Sequence, residues 1–451
     1  MSTSPHSEQA PKHPSTITRF YIDTRPLVTA SPKSLPLLST LQFSEQESIT
    51  RFIRPADRFM SLASALLKYT FIHRQAGMPW SDIRISRTPA PHKRPYWEPP
   101  ELWTRPVSAS TLQAATSPSG SSQCEVKGLE FNVSHQAGLV AILGCTTPAA
   151  QLPNPSNSIS QVTPLSPTLP TGQFDQLSLT GHHTPTLGAG QVRLGVDIAC
   201  THEDKRTPTD VTTQAKFDEW VDIFSEMFSD RERRNMRLAP VHIPVAEREE
   251  GDYYGWESSS EDSSTAPSHT QPGPREAKTI EQKLRRFYAY WALKEAYIKM
   301  VGEGLLASWL RELEFLDVVP PAIPEAVTRA KRKERSRGRG RGGVQPGVGV
   351  TEEPNPQAGN HAHLHPDGGL QHEAEKWTTP EKGERGVTTL FRGTKVEDVD
   401  IELVAYDEEF LIATATRGLQ EVDRPEARRW IRLDIERDIR PCAEGRCSCL
   451  A

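Results

Sequence analysis

A stretch of aromatic residues that also carries charge, at residues 286–299, most constrains how this chain can fold. Its helix-like sequence, RFYAYWALKEAYIK, places one carboxylate and two ammonium groups in a segment that should be mostly buried. Buried charge is costly unless it is paired or meets a metal or a phosphate. Trp291, Glu295 and Lys299 are four residues apart and therefore share one helix face, with Lys294 at its edge. The segment indicates a ligand site, although an ordinary surface pair of Glu295 and Lys299 would also fit.

The composition favours a soluble, cytoplasmic protein that is only partly folded. Proline (38 residues) and glycine (29 residues) are clustered, and the hydrophobic fraction is only 36%. No run approaches the roughly twenty apolar residues of a transmembrane helix, and the N-terminus lacks the apolar region of a signal peptide. The formal net charge of -5 gives no general case for nucleic-acid binding.

The six cysteines do not form the framework of a disulfide-rich protein, which fits a reducing cytosol. Cys447 and Cys449 near the end could suggest a metal clip or a lipid anchor. The sequence favours neither, because no second paired cluster supports zinc and Ser448 occupies the position of a prenylated cysteine.

Polar segments divide the chain into folded and disordered parts. Segments rich in proline, serine and threonine cannot bury enough apolar surface to offset the entropy lost on ordering. We predict a disordered leader (1–15), an N-terminal α+β half (16–145), a disordered insert (146–190), a C-terminal α+β half (191–441) with inserts at 239–276 and 318–394, and a tail (442–451).

Hydrophobic periodicity predicts strand, helix and strand in each half, without a close sequence repeat between them. The predicted strands are 18–23, 83–87, 131–135, 138–143, 191–199, 399–406 and 410–415, and the predicted helices are 58–73, 217–236 and one that begins at Thr279 and ends at Gly302.

Three short motifs carry the functional signal. They are Phe-Asn-Val-Ser-His-Gln at 131–136, Leu-Gly-Val-Asp-Ile at 194–198 and Trp-Ala-Leu-Lys-Glu-Ala-Tyr-Ile-Lys at 291–299. In this order they resemble the 4'-phosphopantetheinyl transferases of the large, surfactin-synthetase-activating (Sfp-like) type, in particular the fungal subgroup. The resemblance implies an α+β fold of two similar, pseudo-twofold halves with the active site in the cleft between them, interrupted here by long disordered inserts.

The resemblance also implies the reaction and the partners. The 4'-phosphopantetheine arm would pass from coenzyme A to a serine of an acyl or peptidyl carrier domain, with Mg²⁺, and adenosine 3',5'-bisphosphate would be released. The implied carriers belong to fatty acid, polyketide and nonribosomal peptide synthases and to the aminoadipate reductase of lysine synthesis. The enzyme would be a monomer.

The site residues follow from the same resemblance. Asp197 and Glu295 are expected to be catalytic and to bind Mg²⁺, for which oxygen ligands are suited. Many bacterial members carry a second acid two residues after the aspartate, but Ala199 stands there, so Gln136 is the candidate third ligand. Lys299 is either the general base for the carrier serine or a phosphate clamp. A lysine acts as a base only if its surroundings lower its pKa.

Coenzyme A phosphates need cationic and hydrogen-bonding partners. The segment His-Lys-Arg-Pro at 92–95 stands where the family usually has Gly-Lys-Pro, so an arginine aligns with the family lysine and suits a bidentate phosphate contact. The expected cofactor-binding residues are Arg54, Arg58, Arg94, Ser134, His135 and Lys294, the last for the diphosphate.

Two other functions remain open. Ala199 makes a degenerate family member conceivable, which would bind coenzyme A without turnover. An RNA-binding or scaffold protein could act through the arginine-glycine tract at 337–342, but that insert has no aromatic residues interleaved with the arginines. The histidines between 361 and 372 are interpreted as part of a low-complexity segment.

Overall fold

A computed structural model of the 451-residue chain describes residues 13–15, 17–30, 34–88, 93–100, 127–148, 192–201, 211–241, 274–303, 307–323, 384–421 and 429–450. Most of each predicted insert lies outside these residues, as do the arginine-glycine tract and the histidine-containing segment. Within the described ranges, no helix combines the length and the apolar character needed to cross a bilayer.

In the N-terminal half, one long helix packs on an antiparallel sheet. Its elements are β1 (His13–Ser15), β2 (Ile17–Asp23), α1 (Arg25–Ala30), α2 (Phe43–Thr50), α3 (Pro55–Ala76), β3 (Ile85–Arg87), β4 (Pro95–Trp97), β5 (Lys127–Gln136) and β6 (Leu139–Pro148). Helix α3 begins at Pro55, which suits a first helical turn, and ends at Gly77, whose left-handed backbone stops it. Ala137 and Gly138 both have positive φ and form the two-residue turn between β5 and β6.

The C-terminal half has a similar order of elements. They are β7 (Arg193–Cys200), α4 (Gln214–Ile223), α5 (Asp230–Leu238), α6 (Pro274–Val301), β8 (Leu313–Leu316), β9 (Thr388–Phe391), β10 (Thr394–Lys395), β11 (Val399–Ala405), β12 (Phe410–Arg417), β13 (Leu419–Glu421), β14 (Ile431–Arg432) and α7 (Arg440–Ala443). Strand β12 pairs antiparallel with β7 and β11, as β6 does with β2 and β5. The predicted α+β class is confirmed.

The end of the chain returns to the N-terminal half. Strand β14 extends the first sheet by pairing in parallel with β2, and β13 pairs in parallel with β1. A π-helical turn, Ile435–Ile439, then leads into α7, where Cys442 joins the apolar core under α3. The C-terminal segment therefore packs against the half that begins the chain.

An apolar layer lies between the two sheets. The first sheet contributes residues such as Tyr21 and Leu143, and the second contributes Val196 and Ile412. The opposite sheet faces pack on α3 and α6, so the order of layers is helix, sheet, sheet, helix.

The facing edges of the two sheets, β5 and β7, are joined by bonds from backbone N–H groups to side chains; we call this line of contacts the β5–β7 seam. A strand edge otherwise leaves N–H groups unpaired, and buried ones must find acceptors. Alternate polar residues of β5 supply them. The bonds run from Val196 N–H to Asn132 Oδ1 (3.1 Å), from Ile198 N–H to Ser134 Oγ (3.2 Å) and from Cys200 N–H to Gln136 Oε1 (3.0 Å).

Gly195 allows β7 to lie directly against α6. A Cβ atom here would be 1.9 Å from the carbonyl oxygen of Ala296 and 2.6 Å from the backbone nitrogen of Met300. No other residue fits without moving the helix or the strand. Because side chains alternate along a strand, Asp197 leaves β7 on the same face as Gly195, toward α6.

The predicted helix at 217–236 is wrong, since two helices, α4 and α5, occupy that region. A capping box starts α5: Ser229 Oγ accepts from the Glu232 N–H, and the Glu232 carboxylate accepts from the Ser229 N–H. This local bonding satisfies the first amides of a new helix and breaks the longer pattern in two.

Parts of the predicted polar segments are structured. Strand β1 lies in the predicted leader, α6 begins inside the second predicted insert, β9 lies in the third, and α7 extends into the predicted tail. The short strands are held by partners distant in sequence, β13 for β1 and β8 for β9. Local composition does not reveal such pairing.

Lys294 lies in the core of the C-terminal half. Its side chain is 0% exposed, and its Nζ atom lies 2.9 Å from Glu232 Oε2. It also donates to the carbonyl oxygens of Leu310, at 2.8 Å, and Leu313. The prediction that Lys294 contacts the diphosphate of coenzyme A is therefore wrong, because this buried ammonium already has three protein acceptors.

We expect Gly195→Ala to destabilise the protein by about 2 kcal/mol or more, because the new methyl group meets backbone atoms that cannot rotate away. Thermal unfolding of the full chain measures the effect. Gly386→Ala is the matched control, since a Cβ there meets nothing within 4 Å. Equal melting temperatures for the two variants would contradict the close approach of β7 and α6.

We expect Lys294→Met to lower the free energy of unfolding by about 3–5 kcal/mol, because it leaves the Glu232 carboxylate buried without its cation. The double variant Lys294→Met/Glu232→Gln should recover part of this loss, because it removes the unpaired charge but leaves one of the two backbone N–H groups that bond to Glu232 without an acceptor. Urea unfolding measures both. If Lys294→Met were as stable as the wild type but bound coenzyme A more weakly, the structural role assigned to Lys294 would be wrong.

Candidate active site

A cluster of three polar side chains lies where α6 passes the β5–β7 seam. Lys299 Nζ donates to Asp197 Oδ1 at 2.6 Å and to Ser134 Oγ at 3.0 Å, and the Ser134 hydroxyl donates to the same Oδ1 atom at 3.0 Å. The three residues come from α6, β7 and β5, so both halves of the fold contribute. The structure thus brings together one residue from each of the three sequence motifs.

One face of α6 is open at this point. From Arg285 to Met300 every residue is buried except Trp291, Glu295 and Lys299, which are half-buried. Successive residues of this face are about 6 Å apart along the helix axis. Glu295 therefore lies one turn from Lys299 on the only accessible face of this stretch, as the four-residue spacing indicated.

Asp197 has the features of a cation ligand. The residue is 5% exposed, and while Oδ1 is engaged by Lys299 and Ser134, Oδ2 is buried without a hydrogen-bond partner. A buried carboxylate oxygen is costly when it has no partner. Mg²⁺ takes one or two protein carboxylates together with substrate phosphates, so Asp197 and Glu295 fit this ion.

Two positions bear on a third ligand: Ala199, where many bacterial members have an acid, and Gln136, the candidate in this chain. Ala199 has no side-chain oxygen to offer a metal, and it is completely buried in the apolar core of the C-terminal half. The Gln136 amide oxygen accepts the Cys200 N–H in the seam. An amide oxygen has a second lone pair, so a metal contact by Gln136 stays a prediction.

His135 follows Ser134 on β5, is more exposed than its neighbours, and points to the other side of the strand. Although the residue as a whole is exposed, desolvation by the surrounding protein and then the positive charge of Lys299 lower the pKa of His135. The free imidazole is therefore neutral near pH 7 and can act as a hydrogen-bond donor to a phosphate. Its contact with coenzyme A stays a prediction.

Arg54 and Arg58 lie at the N-terminus of α3. Arg54 is the exposed residue that precedes the first turn, and Arg58 Nε donates to the Phe52 carbonyl at 2.5 Å. The second turn of α3 contacts the β5–β6 turn, because the Gly138 N–H donates to Met60 Sδ at 3.1 Å. The structure thus brings this cationic helix end close to His135, and a helix N-terminus favours anions.

Arg94 lies at the other end of the seam. Its guanidinium pairs with Glu130 and donates to the Leu194 carbonyl at 3.2 Å, while Nη1 is buried without a partner. Glu130 precedes Ser134 by four residues of β5, about 13 Å at 3.3 Å per residue. Arg94 therefore connects β4, β5 and β7, and a phosphate contact would have to use its unpartnered Nη1 atom.

Sequence reasoning missed two features of the site. It did not identify the ion pair of Lys299 with Asp197, because no spacing relates a helix to a strand about one hundred residues away. It also missed the seam, although a signal was present. Asn132, Ser134 and Gln136 are polar residues at alternate positions of one strand, a pattern that marks a polar strand face.

Comparisons with known protein families give a match in each half of the chain, and both matches name the same family. The family profile described as "4'-phosphopantetheinyl transferase, N-terminal" matches residues 30–147, and that of the "4'-phosphopantetheinyl transferase superfamily" matches residues 267–338. The second match includes the open face of α6.

Similarity to individual relatives extends over nearly the whole chain. The sequence is 37% identical over 450 residues to 4'-phosphopantetheinyl transferase A of Aspergillus fumigatus and 36% identical over 456 residues to 4'-phosphopantetheinyl transferase NpgA of Emericella nidulans, with 96% of each chain covered. A 4'-phosphopantetheinyl transferase of Aureobasidium melanogenum is 29% identical over 94% of this chain and 96% of its own length. The resemblance carried by the three motifs is confirmed: this chain belongs to the 4'-phosphopantetheinyl transferase family.

Proposed function

We propose that this protein transfers the 4'-phosphopantetheine arm of coenzyme A to a serine of a carrier-protein domain, with Mg²⁺, and releases adenosine 3',5'-bisphosphate. The observation that carries the proposal is Asp197. Its Oδ2 atom is buried without a partner, while its Oδ1 atom accepts a hydrogen bond from Lys299 on the open face of α6. Family membership supports the transfer reaction.

Coenzyme A would lie in the cleft between two halves related by a pseudo-twofold axis. The matching strand orders, β2–β6–β5 and β7–β12–β11, support this relation between the halves. The cationic end of α3, with Arg54 and Arg58, and the neutral imidazole of His135 lie near one end of the seam and would contact phosphate groups. Arg94 would reach a phosphate from the opposite end.

The proposed chemistry is attack by the carrier serine oxygen on the β-phosphorus of coenzyme A. One phosphorus–oxygen bond forms as the diphosphate bond breaks, and the leaving group is adenosine 3',5'-bisphosphate. Asp197 and Glu295 would hold Mg²⁺, which when bound neutralises charge on the diphosphate. The protein contributes mainly by positioning the groups and by fixed electrostatics.

Lys299 has two available roles. It lies between the Asp197 carboxylate and the Ser134 hydroxyl and donates to both; as a general base, its ammonium group would first lose a proton to solvent, and the resulting amine would then take the carrier serine proton. Alternatively, the ammonium would stay charged and hold a phosphate. Both roles use the same position, and a substitution that keeps charge but cannot accept a proton separates them.

The carrier is proposed from the family alone. Acyl and peptidyl carrier domains of fatty acid, polyketide and nonribosomal peptide synthases, and of aminoadipate reductase, are the candidates. We propose that the protein is a monomer, because both halves of the cleft are present in one chain. We also propose a cytoplasmic location, because the cysteine usage fits a reducing cytosol.

The direct test is the intact mass of an apo carrier domain after incubation with the full chain, coenzyme A and Mg²⁺. We expect a gain of about 340 Da, the mass of the transferred phosphopantetheinyl group, that EDTA abolishes and excess Mg²⁺ restores. Retained coenzyme A binding without a gain in mass on any carrier type would favour the degenerate binder.

Deletion of 324–383, a range outside the described residues, tests the RNA-binding alternative. If the deletion removed RNA affinity but left the transfer reaction intact, that segment would bind RNA independently of catalysis.

We expect Asp197→Asn and Glu295→Gln each to lower turnover at least about 100-fold, because each removes a charge that holds the cation while keeping nearly the same shape. Glu276→Gln, on an exposed position of the first turn of α6, is the control and should behave as wild type. The readout is the rate of holo-carrier formation, with circular dichroism to check folding. Wild-type rates from either site variant would contradict the assignment.

We expect Lys299→Arg and Lys299→Ala to lose turnover alike, by about 100-fold or more, if Lys299 accepts the serine proton, because arginine stays protonated. If Lys299 clamps phosphate, Lys299→Arg should retain most activity and Lys299→Ala should bind coenzyme A more weakly. Carrier modification rates and calorimetric coenzyme A affinity decide between the roles. Lys395→Ala, at an exposed position of β10, is the control.

A further inference from the structure

A second cluster of chemically reactive side chains lies away from the proposed active site. It consists of His73 in the last turn of α3 and of Cys442, Cys447 and Cys449 in the C-terminal segment. The Nε2 or Sγ atoms of all four lie within 4.8 Å of one another. His73 and Cys442 are each 1% exposed, Cys447 is half-buried and Cys449 is exposed, so the cluster opens to solvent on one side.

The spacing of these atoms is close to that of a tetrahedral zinc site, so small side-chain shifts would suffice to bind the ion. With Zn–S bonds of about 2.3 Å and Zn–N bonds of about 2.0 Å, the ligand atoms of a tetrahedral site lie about 3.5–3.8 Å apart. Cys442 Sγ is 3.7 Å from Cys449 Sγ, and His73 Nε2 is 3.1 Å from Cys447 Sγ. One histidine and three cysteines are also a common ligand set of structural zinc sites.

The His73 ring is oriented as a metal ligand. Its Nδ1 atom lies 2.7 Å from the carbonyl oxygen of Met78. A carbonyl oxygen only accepts hydrogen bonds, so Nδ1 carries the proton and Nε2 presents its lone pair to the cysteines. A backbone carbonyl that fixes the ring in this way is a usual partner of metal-binding histidines. The Trp80 ring packs at an angle against the imidazole, with centroids 6.3 Å apart.

We propose that His73, Cys442, Cys447 and Cys449 bind one structural Zn²⁺ ion. The site ties the last turn of α3 to α7 and to the segment that follows it. Because this segment continues from β14, the last strand of the first sheet, the ion would fasten the C-terminal end of the chain to the N-terminal half. The site was not predicted from the sequence, because Cys447 and Cys449 have no second cysteine pair nearby. The folded chain instead brings His73 and Cys442 next to them.

The test begins with the full chain without a histidine tag, purified under reducing conditions. We expect about one zinc per chain by elemental mass spectrometry, released when a mercurial reagent modifies the thiols. After replacement of zinc by cobalt, we expect the visible bands of tetrahedral Co²⁺ and thiolate charge-transfer absorption. No zinc, together with no cobalt bands from the reduced protein, would overturn the proposal.

Variants separate this site from the magnesium site. Cys449→Ser replaces an exposed ligand and should weaken zinc binding at least tenfold, whereas Cys145→Ala changes a buried cysteine outside the cluster and should keep the metal. Zinc loss should lower the melting temperature by several degrees, but carrier modification at low temperature with Mg²⁺ should persist. Full zinc binding by Cys449→Ser, or a Cys442–Cys449 disulfide in place of a metal, would contradict the proposal.

Discussion

The contact between Gly195 of β7 and the backbone of α6 sets the geometry of the proposed active site. Because no Cβ intervenes, the strand lies against Ala296 and Met300. Asp197, the next residue of β7 on the face toward α6, therefore lies beside Lys299. The β5–β7 seam then adds Ser134 from the other half. A packing requirement at one glycine and a row of hydrogen bonds between two sheet edges thus place three side chains distant in sequence within 3.0 Å of one another.

The two lysines of the third motif show how a helix face decides a residue's role. Lys294 and Lys299 are five residues apart and therefore point in different directions. Lys294 is enclosed with Glu232 in the aromatic core, where its charge holds α5 and α6 together. Lys299 lies on the open face with Glu295. The charge in this aromatic helix thus has two explanations, a buried pair and a ligand site, and the sequence suggested only the second.

Local patterns predicted the main elements well. Periodicity identified α3, α6 and the strands of both sheets other than β14, and the three motifs supplied Ser134, Asp197 and Lys299, although their contacts with one another were not predicted. What depended on distant partners was not predictable: β9 pairs with β8 across a long intervening segment, and Glu232 neutralises a lysine on another helix. The same limit applies to His73, which completes a cluster with cysteines almost four hundred residues later. Interactions of this kind leave no periodic trace in the sequence.

The central claim is that Asp197 and Glu295 together hold the catalytic cation. The most direct measurement is Mn²⁺ binding to the full chain in the presence of coenzyme A, followed by electron paramagnetic resonance, in the wild type and in Asp197→Asn and Glu295→Gln. The account predicts one Mn²⁺ site that Mg²⁺ displaces and that both substitutions weaken strongly, because a divalent ion depends on its carboxylate ligands. Unchanged Mn²⁺ affinity in either variant would contradict it.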